Sequence, residues 1–441
     1  MSDVLTRIRR HTGIAVIDGA LILSYADLAQ RVDDRAARLR QLGVRPGERV
    51  ATLLNDGSDA LIASLATLAA GAVHVPVDVQ LTAPERANLM ASALVAWVQS
   101  TEGVLATGHA SPPDPLERSA FLRHTSGTTA AAKGVLLTMR SLGLRAEVAA
   151  NALGLAPGRR MLWLLPMAYH WAASVIAALS AGATVVFAAR LRIADTAAIA
   201  RAQGATLAYA APWNLRRLAA LPPGALTGLT EVIATTAALD PATAAALLHG
   251  HGLRLRQALG LIELGLPLVG DGGAIGAVGH PAPGFRSALL DGDGNEGELA
   301  LDGPGRFDAY TDPWTPSDAV LRNGLFATGD RARRLPDGTL QLLGRLKDVI
   351  NVAGLKVFPL EVEAVLLAHP AVAACRVRAA ADERSGDVVA AEVVPAPGTD
   401  PARLTAELDA WCAARLTALR RPAQWTVLAA LPHTGSGKVR R

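Results

Sequence analysis

Two stretches of the chain follow one plan. Leu61–Val77 (LIASLATLAAGAVHVPV) and Ala173–Ala189 (ASVIAALSAGATVVFAA) each run from an Ala/Leu-rich helical segment through a glycine into a short Val-rich strand. Gly71 and Gly182 stand where a helix C-cap glycine belongs. Both segments fall short of the roughly 20 apolar residues that cross a bilayer, so neither is expected to be a membrane span. Strands that are apolar along their whole length and follow helices belong in a parallel sheet covered on both faces. The expectation is an α/β fold, and 441 residues call for at least two domains.

Local signals extend this plan. An Asp-Gly turn at Asp18 precedes Ser24, which caps a helix (SYADLAQRVDDRAARLRQLG); Gly43 and Pro46 end it before a strand over Arg49–Leu53. Gly103–Glu117, rich in Gly, Pro, Ser and Asp, reads as a surface loop. After Arg345 the pattern restarts: a helix over Leu360–Ala368, strands near Ala371–Arg378 and Val388–Val394, a Pro/Gly loop and a helix over Pro401–Leu419. That order predicts a small α+β C-terminal domain.

Charge and cysteine content exclude several classes. A net charge of +4 comes from scattered arginines rather than a block that would follow a phosphate backbone, so nucleic-acid binding is not expected. Mild positive charge suits acidic small molecules such as ATP and coenzyme A, or an acyl carrier protein, without choosing among them. Cys375 and Cys412 lack metal-ligand spacing and form no disulfide framework, and the N-terminus shows no n-region, h-region and cleavage site. A reduced, cytoplasmic setting is the expectation.

His124–Val135 reads HTSGTTAAAKGV, a hydroxyl-rich loop ending in a lysine before an apolar strand. Its backbone N–H groups, hydroxyls and one cation suit a triphosphate. It lacks the Gly-Lys-Ser/Thr order of a Walker loop, and alone it is equally an ordinary turn. Further on come Phe326–Asp330 (FATGD), Asp337-Gly338, Gly344–Asp348 (GRLKD), Asn351–Glu363 (NVAGLKVFPLEVE) and Leu431–Lys438 (LPHTGSGK).

In this order the segments resemble the adenylate-forming superfamily, which includes acyl-CoA synthetases, aryl acid ligases and nonribosomal peptide adenylation domains. The resemblance runs from Ala15 to Lys438. It implies an α/β fold with a large N-terminal domain of αβ subdomains (residues 1–345), sheets flanked by helices, and a small mobile α+β C-terminal domain (346–441) hinged at Lys347. Thr125, Ser126, Gly127, Thr128, Thr129 and Lys133 match the phosphate loop. Asp330 matches the carboxylate that accepts both ribose hydroxyls, and Arg345 the cation beside the ribose or phosphates. Lys438 matches the lysine that bridges the acid's carboxylate and the α-phosphate, and Gly354 the loop that lines the pantetheine tunnel. His170, in LPMAYH, matches a histidine near the acyl pocket; Ala211–Trp213 and Val232–Leu239 (VIATTAAL) match the pocket wall. A Gly-Asp turn, a surface arginine, a solvated basic tail, a β-turn glycine and a packed core histidine are the bland alternatives.

The pattern is broken in places. Where the family has aromatic-Gly-x-Thr-Glu for adenine and magnesium, this chain has Leu259-Gly260-Leu261-Ile262-Glu263. Glu263 remains a hard oxygen ligand for Mg²⁺, but the stacking aromatic and the phosphate-binding hydroxyl are gone. Ala130 and Ala132 replace the usual glycine and proline of the phosphate loop, and Thr235-Thr236 occupy a common glycine position.

The resemblance implies a two-step acid–thiol ligase. Acid and MgATP give an acyl-adenylate, with Lys438, Glu263 and His170 as catalytic candidates and Gly260 at the nucleotide. The thiol of coenzyme A or of a carrier-protein phosphopantetheine then displaces AMP. Tyr169, His170, Trp171 and Trp213 point to an acid that is small or aromatic, although aromatics also fill cores. The alternatives are a ligase using an amine or other non-thiol nucleophile, and a weakened nucleotide-binding homologue.

Overall fold

Both helix–glycine–strand units form. Ser58–Ala69 leads through Gly71 (φ +82°) to Val73–Pro76, and Ile176–Ser180 leads through Gly182 (φ +79°) to Thr184–Phe187. These positive φ values carry no Cβ penalty in glycine. The computed structural model describes residues 3–112, 116, 118–124, 133–188, 192–271, 276–382 and 386–432. Its α/β architecture, a large N-terminal domain with sheets flanked by helices and a smaller C-terminal domain, is the one expected.

The two units do not share a sheet, which corrects the expectation of a single one. Val73–Pro76 lies between Arg49–Thr52 and Ser119–His124 in an eight-stranded sheet, whereas Thr184–Phe187 lies between Ile14–Asp18 and Arg160–Trp163 in a fourteen-stranded one. Each is parallel at its centre and antiparallel towards its ends. The helices Ser58–Ala69, Met139–Leu153 and Ile176–Ser180 feed one core that both sheets share, through Leu61, Leu65, Leu142, Ala146 and Ile176. Apolar periodicity says that a strand is buried, not which sheet buries it.

The local signals fare well. Ile14–Asp18 turns into Leu21–Ser24, and Ser24 caps Tyr25–Gln41: its Oγ accepts from Asp27 N at 3.0 Å while Asp27 Oδ2 accepts from Ser24 N at 3.0 Å. One loop does not form as expected, because Gly103–Ala106 makes a strand antiparallel to Trp97–Ser100 at the sheet edge.

The C-terminal region has its own core, built from Val362, Leu366, Val377, Val393, Leu404 and Leu408, with both cysteines buried and free. Pro359–Leu367, Val372–Asp382 and Gly386–Pro395 match the expected elements. The last helix stops at Ala413, short of Leu419, and a 3-10 turn follows over Ala418–Arg420. A hairpin of Ile350–Val352 and Leu355–Val357 and a parallel strand Gln424–Val427 complete the sheet. Among the described residues no helix is long and apolar enough to cross a membrane.

Candidate active site

A turn tightens Leu325–Arg334 against Leu340–Arg345: Asp337 Oδ1 accepts from Thr339 N at 2.9 Å, and Gly338 takes φ +85°. The resulting register sets Asp330 opposite Arg345, and Arg345 Nε meets Asp330 Oδ1 at 2.8 Å. Asp330 is buried at 6% exposure, while the Arg345 side chain keeps 44%. Arg345 Nη1 also donates to Thr328 O at 3.1 Å, and Thr328 Oγ1 accepts from Asp330 N at 3.1 Å. The two residues assigned separately to the ribose are thus one ion-paired unit, with a fixed acceptor and a cation that reaches solvent.

Glu263 sits in the turn between Arg254–Leu261 and Gly265–Asp271. Tyr310 donates its phenol to Glu263 Oε1 at 3.1 Å. Burial, and then the carboxylate itself, push that phenol well above its ordinary range, so it stays a donor. No described residue donates to Oε2. The Lys133 ammonium lies 4.8 Å from the centre of the Tyr310 ring. One carboxylate with an oxygen to spare suits Mg²⁺, which takes one or two protein carboxylates and completes its shell with phosphate oxygens and water.

The backbone of this turn is tied by a residue that the sequence did not single out. Arg145, 2% exposed in the helix Met139–Leu153, donates Nη1 to Ile262 O at 2.8 Å, Nη2 to Glu263 O at 3.1 Å, and Nε and Nη2 to Gly305 O at 3.1 and 2.8 Å. Its stem needs the space left by two glycines: a Cβ on Gly265 would stand 2.7 Å from Arg145 Cγ, and one on Gly305 2.5 Å from Arg145 N. Burial lowers the guanidinium to about 10, against the pull of Glu263 and Asp308. An arginine inside the apolar helix pattern LGLRAEVAA was the available signal.

The strand Ser119–His124 carries a second embedded cation to the edge of the candidate phosphate loop. Arg123 Nη1 donates to Tyr169 O at 2.6 Å, and its guanidinium lies 5.0 Å from the Tyr169 ring centre. Burial, and then Asp78, raise the Tyr169 phenol. Thr125, Ser126, Gly127, Thr128 and Thr129, with Ala130 and Ala132, lie outside the described residues, as does Lys438.

The aromatic residues do not form one pocket. Trp171 is 1% exposed and stacks on Phe121 at 5.7 Å, whereas Trp213 is 51% exposed and carries Arg217 over its ring. Tyr169 is the aromatic that joins the charged cluster. The neighbouring His170 is half-buried, and its carbonyl accepts from Ser174 Oγ at 3.0 Å. Thr236, in the candidate wall, adopts φ +77° with its hydroxyl buried and unpartnered. A Cβ on Gly260 would meet only ordinary contacts. Lys347 lies in a short 3-10 turn, Leu346–Asp348, between the two domains. Ala353 and Gly354 have φ +48° and +88° at the tip of the Ile350–Val357 hairpin, the signature of a type I′ turn, and a Cβ on Gly354 would meet open space.

Comparison with known proteins matches residues 7–99 and 91–311 to the AMP-binding enzyme model and 361–438 to the AMP-binding enzyme C-terminal domain. The chain is 32% identical to a feruloyl-CoA synthase from Amycolatopsis over 96% of its length and 94% of the relative's. It is 29% identical to a fatty acid–[acyl-carrier-protein] ligase from Streptomyces coeruleorubidus, over 97% of itself and 92% of that protein. The structure of an amide bond synthetase from Marinactinospora thermotolerans superposes with a TM-score of 0.85 at 25% identity, covering 99% of this chain and 97% of that one. Both family models match in order along one chain, and the protein belongs to the AMP-binding enzymes of the adenylate-forming superfamily.

Proposed function

We propose that this enzyme is an AMP-forming acid–CoA ligase. The reading rests on one cluster above all: Glu263 is hydrogen-bonded to Tyr310, its turn is clamped by Arg145, and Lys133, at the end of the candidate phosphate loop, stands over the Tyr310 ring. That is a site for a polyanion and a divalent cation. In the first step a carboxylate oxygen of the acid bonds to the α-phosphorus of ATP, and the bond to the leaving pyrophosphate breaks. In the second, a thiolate sulfur bonds to the acyl carbon, and AMP leaves with the electron pair. Asp330, held by Arg345, accepts from the ribose. Glu263 would hold Mg²⁺, which would neutralise phosphate charge there. Lys438 balances charge at the α-phosphate, and rotation about Lys347 then brings the Gly354 hairpin to the thiol.

Coenzyme A is the acceptor that the feruloyl-CoA synthase relative favours; the carrier-protein ligase relative keeps a phosphopantetheine thiol in play. Its acid is small and aromatic in this reading, with Tyr169 rather than Trp213 facing it. Buried free cysteines suit a reducing cytoplasm. The likeness to an amide bond synthetase supports a second reading in which an amine replaces the thiol. Acid-dependent pyrophosphate release over a panel of aryl and short aliphatic acids, followed by addition of coenzyme A, carrier protein or amine, tests both. Thioester is expected. Amide without thioester favours the second reading, and absence of acid-dependent release from every acid sinks ligation.

A further inference from the structure

Two arginines are embedded beside Glu263, and they differ in how their donors are used. Arg145 directs Nε, Nη1 and Nη2 at three backbone carbonyls. Arg123 makes one hydrogen bond, Nη1 to Tyr169 O, and its Nε is buried without a partner. Among the described residues no carboxylate pairs with Arg123 within ion-pair distance; Glu263 acts on it only through longer-range attraction, and Arg145 adds like charge nearby. Burial holds the Arg123 guanidinium down to about 10, still charged at neutral pH. Arg123 as a whole is half-buried, but a cation whose Nε is buried without a partner or counter-ion is a cost to the fold unless something else brings the anion.

Arg123 is also poorly explained as a clamp. One bond to a carbonyl and a ring contact use a fraction of what a guanidinium offers, and an apolar residue could pack at that site in the strand Ser119–His124 beside Phe121.

We propose that Arg123 is an oxyanion-recognition residue: its guanidinium, anchored on Tyr169 and facing Glu263 with donors unspent, binds an acidic group that a substrate carries in. Forked N–H donors fit a phosphate or a carboxylate equally. The sources are therefore the phosphates of ATP and the carboxylate of the acid. The inference rests on the ligase reading for the identity of those substrates, but not for the presence of the site.

The signature is a trade of stability against binding. Arg123→Met removes an uncompensated cation and keeps most of the volume, so the ligand-free protein should melt at the same temperature or higher. A clamp would show the reverse. The same variant should weaken either the dissociation constant of inorganic pyrophosphate or the KM of the acid by at least about tenfold, the worth of a charge-assisted hydrogen bond. Loss at pyrophosphate identifies a phosphate site, and loss at the acid a carboxylate site. Arg123→Lys should recover part of whichever is lost, because it returns the charge without the fork. A lower melting temperature or failure of Arg123→Met to fold overturns the proposal, as does unchanged binding of both ligands. If the wild-type enzyme turns over no acid, the ligase reading fails separately, and calorimetry with pyrophosphate on the two proteins still decides Arg123.

Discussion

Removing Arg145 should loosen the Glu263 turn and destabilise the domain together. In Arg145→Met the carbonyls of Ile262 and Gly305 lose their donors, while Glu263 O keeps Phe307 N at 2.7 Å. Two buried acceptors left unmet cost about 1–3 kcal/mol each. Methionine regains part of that, because a buried cation and its desolvation penalty go with the arginine. A net loss of about 3 kcal/mol follows, and in a domain of this size it lowers the thermal midpoint by about 5 °C. The turn's position should suffer as well, since nothing else described holds the Ile262 carbonyl; kcat/KM for ATP should fall at least about tenfold, or 1.4 kcal/mol. Arg145→Lys, with charge but no fork, should land between the two. Calorimetric melting with steady-state kinetics in varied ATP reads both effects. A midpoint within about 1 °C of wild type, with unchanged ATP kinetics, would show that the clamp is incidental.

Three further substitutions probe separate parts of the site. Asp330→Asn should raise the KM for ATP about tenfold, since a neutral amide is the weaker acceptor, yet cost under about 1 kcal/mol of stability because the Arg345 side chain is 44% exposed; equal ATP kinetics would remove Asp330 from the ribose. Thr236→Gly should stabilise the protein by about 1 kcal/mol, since a β-branched residue at φ +77° is strained and its hydroxyl is buried unpaired; a lower melting midpoint would mean that the threonine makes a contact worth more than its strain. Ile262→Thr should lower the KM for ATP a few-fold by returning a hydroxyl to the turn; an unchanged value would say that the side chain faces the core, where part of it already packs.

What could be read from sequence was local. The Ser24 cap, the glycines at 71 and 182 and the Asp337-Gly338 turn each act over a few residues, and the last also fixes the register that pairs Asp330 with Arg345. The site's electrostatics were not local. Tyr310 lies 47 residues from the carboxylate to which it donates, and Arg145 reaches turns 117 and 160 residues away. Pattern reading treats an arginine within an apolar helix or strand as an irregularity; only the fold reveals that Arg145 spends its donors on carbonyls while Arg123 keeps most of its own. Trp213 fails for the opposite reason: its position in the motif was legible, but its exposure depends on how the helix Pro212–Ala219 sits. At Gly354 the hairpin adopts φ +88°, a conformation that favours glycine on backbone grounds alone.

The placement of these segments follows from chain direction. Pro166–His170 comes after the strand Arg160–Trp163, Pro212-Trp213 after Leu207–Ala210, Thr235-Thr236 after Glu231–Ala234 and Glu263 after Arg254–Leu261, so all four stand at the carboxyl ends of parallel neighbours. The smaller sheet repeats the arrangement, with Asn55-Asp56 after Arg49–Thr52 and Asp78 after Val73–Pro76. Asp56 Oδ1 accepts from Met167 N at 2.7 Å, tying one set of loops to the other beside a cleft of about 80 Å³. Ligands of open α/β sheets bind outside the carboxyl ends of the strands, and Glu263 stands at such an end: Arg254–Leu261 runs parallel to Glu231–Ala234 on one side and turns at Glu263 into the antiparallel Gly265–Asp271 on the other. The lost aromatic and threonine at Leu259 and Ile262 therefore alter side chains at a position that topology and the Arg145 clamp still hold, which is why a broken motif is compatible with an intact site.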